Sequence, residues 1–169
     1  MTSEKNNANT AQTTYRSIDH IAIAVRDLEP AIEYFTTVLG FELIRRRKVE
    51  GAATGMLSAE LEHGPIKFVL CQGVEPESQV SRLIEDFGPG IAHIALRVDD
   101  VVESRDTLAA RGQVFDTNII GRVPLRQVFS SRDPNTGLSF ELIERRGEDG
   151  FLDENVHDLF SQLEQNGTY

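Results

Sequence analysis

The chain has 169 residues, which suits one domain or two small similar halves sharing a core, and its 40% hydrophobic content is ordinary for a soluble globular protein. A net charge of −10 argues against a nucleic-acid backbone as partner, since that binding depends on Lys and Arg neutralising phosphates. A single cysteine, Cys71, excludes an internal disulfide and any thiolate-rich metal centre, so a metal site would have to draw on the four histidines and on carboxylates.

Residues 1–14, MTSEKNNANTAQTT, are too polar to offset the entropy of ordering and predict a disordered tail, with a single domain over 15–169. No charged-then-apolar leader is visible, and no stretch approaches the ~20 apolar residues of a membrane span, so a cytoplasmic protein with no membrane partner is expected. IDHIAIAV (18–25) alternates as a strand. LEPAIEYFTTVLG (28–40) follows as a helix, with Pro30 in its first turn and Gly40 as its stop. Three strands are expected at 41–49, 55–62 and 65–71, and a short linking helix at 78–86.

The pattern then repeats. At an offset of 73 residues, IDHIAIAVRDL (18–28) falls on IAHIALRVDDV (91–101), which places His20 on His93, Ala22 on Ala95 and Asp27 on Asp100. A helix at 100–111, with Gly112 as its stop, and strands near 113–118, 123–130 and 137–144 complete the second copy. Two copies of one supersecondary unit, neither able to close a core alone, predict an α+β fold. Two paired βαβββ modules (17–72 and 90–145) form a cup-shaped eight-stranded sheet. A C-terminal helix over 152–165 carries Leu159, Phe160 and Leu163 at helical spacing.

Strand alternation sorts the side chains. His20, Ala22 and Ala24 share one face, and Ile21, Ile23 and Val25 the other. In the repeat His93 and Ala95 oppose Ile94, Leu96 and Val98. Small residues beside each imidazole leave room for a ligand. Glu141, between Phe140 and Leu142, is a carboxylate in a strand and needs a partner if buried. A lone strand histidine is more often a core or surface residue than a ligand. Two at equivalent positions of a repeat, with a carboxylate in the last strand, point instead to a two-histidine, one-carboxylate site for a divalent metal: His20, His93 and Glu141. His63 reads as an exposed turn residue, His157 as a surface residue, Cys71 as a small hydrophobe or pocket-lining residue, and Arg45–Arg47 as a solvated charged stretch, with an anion site as the minority reading.

The repeated DHIAIAV…LGFEL and AHIALRVDD segments resemble the vicinal oxygen chelate superfamily, which includes glyoxalases, epimerases, extradiol dioxygenases and antibiotic-resistance proteins. The resemblance runs from Ser17 onward. GMLSAEL (55–61), SQVSRLIEDFGPGIAHIAL (78–96), PLRQVFS (124–130) and FELIERRGEDGFLDENVHDLF (140–160) are most similar to the C-terminal half of the 4-hydroxyphenylpyruvate dioxygenase and hydroxymandelate synthase family. That resemblance implies Fe(II) on the triad, with Mn, Co, Ni or Zn as other divalent possibilities. It implies Ser58, Gln79, Gln127, Phe129 and Phe151 as substrate-pocket residues and the terminal helix as a lid. The implied partners are a chelating 2-oxo acid, or similar small molecule, and dioxygen, and a homodimer is possible on the same ground. The family's glutamine before the second histidine is Ala92 here, an asparagine on the fourth strand is Cys71, and an aromatic on the terminal helix is Val156, so the ring recognition of that family is not carried over.

Two other readings stand beside it: a divalent-metal epimerase, isomerase or glyoxalase-type lyase, and a non-catalytic drug-binding protein. The lyase and epimerase types place a fourth ligand on the fourth strand. The 73-residue offset puts Phe68 at that place, with Gln72 the nearest amide.

Overall fold

The computed structural model describes residues 12–147 and 152–166. Most of the expected tail, and Phe151, lie outside the described residues. The strands are β1 (Tyr15–Ala24), β2 (Glu42–Glu50), β3 (Gly55–His63), β4 (Ile66–Gly73), β5 (Gly90–Val98), β6 (Ile120–Arg122), β7 (Leu125–Phe129) and β8 (Phe140–Arg145). The helices are α1 (Leu28–Glu33), α2 (Gln79–Phe87), α3 (Val101–Ala109) and α4 (Asp153–Asn166).

The eight strands form one curled sheet in the order β2-β3-β4-β1-β5-β8-β7-β6. The order reads as two halves joined back to back. β1 pairs antiparallel with β5 at the centre, β4 runs parallel to β1, and β8 runs parallel to β5. The α+β architecture, with two βαβββ halves and a terminal helix, is as the repeat predicts.

The two faces of the sheet are filled differently, as the alternation requires. On the convex side, Ile23 and Val25 pack with Leu28 and Ile32 of α1 and with Ala59, Leu61 and Leu70. Val98, Val128 and Leu142 pack with Val101 of α3 in the same way. On the concave side Ala22, Ala24, Cys71 and Ala92 meet Val80, Leu83 and Ile84 of α2, which closes one side of the cup. Both linking helices start on side-chain caps. Ser78 Oγ accepts from Ser81 N at 3.2 Å, and Asp100 Oδ1 accepts from Val102 N and Glu103 N at 2.8 and 3.0 Å.

Two expected elements differ. The helix over 28–40 is α-helical only to Glu33 and then widens into a π-type turn over Tyr34–Val38. The hydroxyls of Thr36 and Thr37 donate to the carbonyls of Ile32 and Glu33, competing with the backbone for those acceptors. The strand expected at 113–118 is absent. That segment meets the end of β7 in an isolated bridge between Phe115 and Ser130, with Asp116 N donating to the Phe129 carbonyl at 2.9 Å, and pairing stops there because the Phe129 N–H goes to the Thr117 hydroxyl at 3.0 Å rather than to a strand carbonyl. The edge strand is β6 instead, three residues long.

α4 lies over the cup and is tied down at both ends. Asn155 Nδ2 donates to the Leu125 carbonyl at 3.0 Å. Glu164 accepts from Ala52 N, Thr54 N and the Thr54 hydroxyl in the β2–β3 turn. Gly121 permits the first contact, since a Cβ there would run into the Asn155 side chain and the Leu125 carbonyl, and its φ is +81°. Among the described residues no helix is long and apolar enough to cross a membrane.

Candidate metal centre and cup

Register across the central strands brings the triad together. Ala22 of β1 faces His93 of β5, His20 faces Ala95, and Ala95 in turn faces Glu141 of β8. These residues share the concave face. The donor atoms of His20, His93 and Glu141 all lie within 4.8 Å of one another. Glu141 Oε2 is 3.2 Å from His20 Nε2 and 3.3 Å from His93 Nε2, and the two rings stand nearly perpendicular with centroids 5.6 Å apart. Glu141 is only 1% exposed, and its Oε1 is buried with no hydrogen-bond partner. A buried carboxylate with one oxygen set against two imidazole nitrogens and the other left without a partner is costly by itself, and it suits a divalent cation.

The electrostatics fit the same reading. Burial works against a charged His20, yet Glu141 and Asp19 outweigh it and raise the imidazole to about 9. For Glu141, burial is likewise outweighed by the two histidines, and the carboxyl sits well below its usual range. His93 is pushed down by burial, which Glu141 only partly offsets. With no ion bound, therefore, a proton on His20 is what balances Glu141 at the centre. A cation held there would take over that role, with Nε2 of His20 free of its proton and Nδ1 still donating to Asp19.

Asp19 fixes which nitrogen does what. Its Oδ1 is 2.9 Å from His20 Nδ1, so Nδ1 carries the donated proton and Nε2 faces the centre. Arg145 of β8 grips the same carboxylate, with Nε to Oδ2 at 2.8 Å and Nη2 to Oδ1 at 3.1 Å. Strict alternation would have turned Asp19 away from His20. A bulge permits the contact: Ile18 faces Leu96 and His20 faces Ala95, so Asp19 is an extra residue in β1.

The triad opens into a cavity of about 70 Å³. Ser58, Gln127 and Phe129, all expected in a substrate pocket, line it. The Phe129 ring stands edge-on to His93 with centroids 5.1 Å apart, and Gln127 Oε1 is buried without a partner. Gln79 does not line this cavity. It sits on α2, where its amide donates to the Phe160 carbonyl of α4 at 3.3 Å. Cys71 is in the wall, its thiol pushed up to about 12 by burial, so it acts as an inert small residue. His63 is bonded through Nδ1 to the Gly40 carbonyl at 2.9 Å, away from the cup.

Two residues of the cup escaped the sequence reading. Arg47 is not solvated as Arg45 and Arg46 are: its side chain is 10% exposed and lines the cavity, ion-paired with Glu60 in the same wall. The alternating strand pattern holds a partial signal for this, because Arg47 stands opposite Ser58 in the β2–β3 register. The fourth-ligand position also moves by one residue. Ala22 faces Val69 in the first half as Ala95 faces Glu141 in the second, so the counterpart of Glu141 is Val69 and not Phe68. Phe68 packs against Phe35 and Phe41 on the other face, and Gln72 accepts from Leu28 N at 2.6 Å. The first half thus contributes one nitrogen to the centre and no oxygen at the equivalent place.

The fold is thus an eight-stranded cup of paired βαβββ units with a His–His–Glu cluster at its floor that could hold a metal ion. Residues 19–119 match the glyoxalase/bleomycin resistance protein/dioxygenase superfamily, and the chain belongs to it. Among curated relatives, 4-hydroxyphenylpyruvate dioxygenase of Legionella pneumophila (strain Corby) is 27% identical over 186 residues, covering 88% of this chain and 53% of that protein. The chain thus spans about half the length of that relative. Among solved structures, a triple mutant of 4-hydroxymandelate synthase from Streptomyces coelicolor superposes with a TM-score of 0.81 at 23% identity, over 95% of this chain and 57% of that one. Methylmalonyl-CoA epimerase from Mycobacterium tuberculosis superposes with a TM-score of 0.68 at 26% identity, over 81% and 93%.

Proposed function

We propose that the chain is a divalent-metal enzyme of this superfamily, formed by residues 15–169, in which His20, His93 and Glu141 hold Fe(II). The reading is that of a dioxygenase acting on a 2-oxo acid or a similar chelating small molecule. The observation that carries it is the convergence of two Nε2 atoms and one buried, half-satisfied carboxylate on a single point. The similarity to 4-hydroxyphenylpyruvate dioxygenase supports the finer assignment.

When bound, such an ion supplies Lewis acidity for a bidentate substrate and redox chemistry toward dioxygen. The chain's own part is different. Val69, in the place where a fourth ligand could stand, leaves coordination positions to substrate and co-substrate. Asp19, held by Arg145, keeps His20 in the tautomer that presents Nε2. Gln127 and Ser58 offer neutral polar contacts in a wall that is apolar apart from them and the Arg47–Glu60 pair, Phe129 packs against His93, and α4 covers the opening and excludes water. Gln79 positions α4 through Phe160.

One observation favours a second reading, metal-assisted proton transfer of the epimerase or lyase type: Glu60 places another carboxylate in the same cavity, where a base could stand. Oxygen separates the two. Fe(II)-loaded protein screened anaerobically against 2-oxo acids is expected to give a charge-transfer band, and admission of dioxygen to start uptake matched by decarboxylation. Turnover that ignores oxygen but incorporates solvent deuterium beside a carbonyl would move the assignment to the second reading.

A further inference from the structure

The cup carries a charge that the metal site does not use. Its wall is otherwise largely apolar, formed by Met56, Val69, Cys71, Phe129, Val156 and Leu159, yet Arg47 and Glu60 are buried in it as an ion pair. A buried pair of this kind adds little to stability compared with apolar residues of the same volume, because both ions lose their hydration. β2 lies three strand spacings from β1 in the sheet order, on the order of 14 Å along its surface. Arg47 therefore reaches the cavity from a different wall than the triad, and both line the same space.

The partners of Arg47 differ in kind. Glu60 is in the wall beside it. Asp153, whose Oδ1 accepts from Arg47 Nε at 2.8 Å, belongs to the first turn of α4 and is 79% exposed. An exposed carboxylate held by a guanidinium contributes little binding of its own and exchanges readily with another carboxylate of suitable shape. The exchange conserves charge: one anion leaves Arg47 and one arrives, while Glu60 remains.

We infer that Arg47 is a specificity residue that binds a second acid group on the substrate, at the end remote from the chelating end, and that this group displaces Asp153. The substrate class is then a compact small molecule with a chelating 2-oxo acid at one end and a carboxylate or other planar anion at the other. The inference rests on the reading of the triad as the point of chelation. The apolar lining between the two ends fits a short hydrocarbon linker, and the fork geometry of the guanidinium suits a carboxylate in two-point contact.

The test uses full-length protein and 2-oxo diacids of increasing length, each paired with the 2-oxo monoacid of the same length. Fe(II) is titrated in first without ligand, so the metal reading is settled separately; if no ion binds, that reading fails and the acid pairs are compared by calorimetry on the metal-free protein. Wild type is expected to bind the best diacid roughly 10–100-fold more tightly than its monoacid, the span of a hydrogen bond to a charged group. Arg47→Met should abolish that preference, and Arg47→Met/Glu60→Gln, which leaves no carboxylate buried without its cation, should abolish it too with Fe(II) binding retained. Asp153→Asn, which removes the competing anion, should tighten diacid binding severalfold, an effect that a purely structural role for Arg47 would not give. Equal affinity for diacid and monoacid in wild type, a preference that survives in Arg47→Met, or weaker diacid binding in Asp153→Asn would each overturn the assignment.

Discussion

The two halves of the molecule share one architecture and differ in what they contribute to its interior. The second half, β5 to β8, supplies His93 and Glu141 to the centre and Phe129 and Gln127 around it. The first half supplies only His20 to the centre, with Val69 where its twin has Glu141, and devotes its cup face to Ser58, Glu60 and Arg47. The convex sides remained alike, with α1 and α3 packed on aliphatic strand faces in the same manner. Apart from the two equivalent histidines, what repeats holds the sheet together, and what diverges lines the cup.

The sharpest break in that asymmetry is removal of the one carboxylate. Glu141→Ala is expected to lower metal affinity well beyond the ~10–100-fold seen for residues that only orient ligands, with the fold retained by circular dichroism. Val69→Ala, at the matching place in the first half, should leave metal affinity unchanged. Asp19→Asn comes next. It preserves shape but removes the charge that holds His20 Nδ1–H, and calorimetry should show metal binding weakened by ~10–100-fold, with His93 and Glu141 still in place.

The convex faces test the shared side of the comparison. Leu70→Ala in the first half and Leu142→Ala in the second, both nearly or fully buried under their helices, should each cost about 2–5 kcal/mol in denaturant unfolding. Equal effects on stability with no change in metal affinity would confirm that the scaffold is symmetric where the centre is not. The smallest effect is expected at the lid. Gly121→Ala would push Asn155 off the Leu125 carbonyl, and hydrogen exchange should report faster opening of α4 with the sheet unaffected.

Much of this was legible in the sequence because two simple periodicities govern it. Alternation in IDHIAIAV and IAHIALRV sorted small residues and histidines to one face, and the internal repeat made their coincidence visible. What alternation cannot see is a residue that breaks it. Asp19 reaches His20 only through a bulge, and the one-residue correction from Phe68 to Val69 depends on strand register, which an ungapped offset does not carry. The expected strand at 113–118 failed because the Thr117 side chain takes a backbone donor of β7. Arg47 read as solvated because it stands in a run of three arginines. Two of them are exposed as composition suggests, and the third turns inward opposite Ser58. Gln79 is buried as a pocket residue would be, but against α4 rather than in the cup.

The central claim is that three side chains from three strands serve one ion. Calorimetric titration of metal-free protein with Fe(II) under anaerobic conditions tests it directly, in wild type and in His20→Ala, His93→Ala and Glu141→Ala. A single ion per chain in wild type, with binding lost or severely weakened in all three variants, is the expected result. Wild-type protein that takes up no ion, or any one of the three variants binding it as tightly as wild type, would contradict the shared centre.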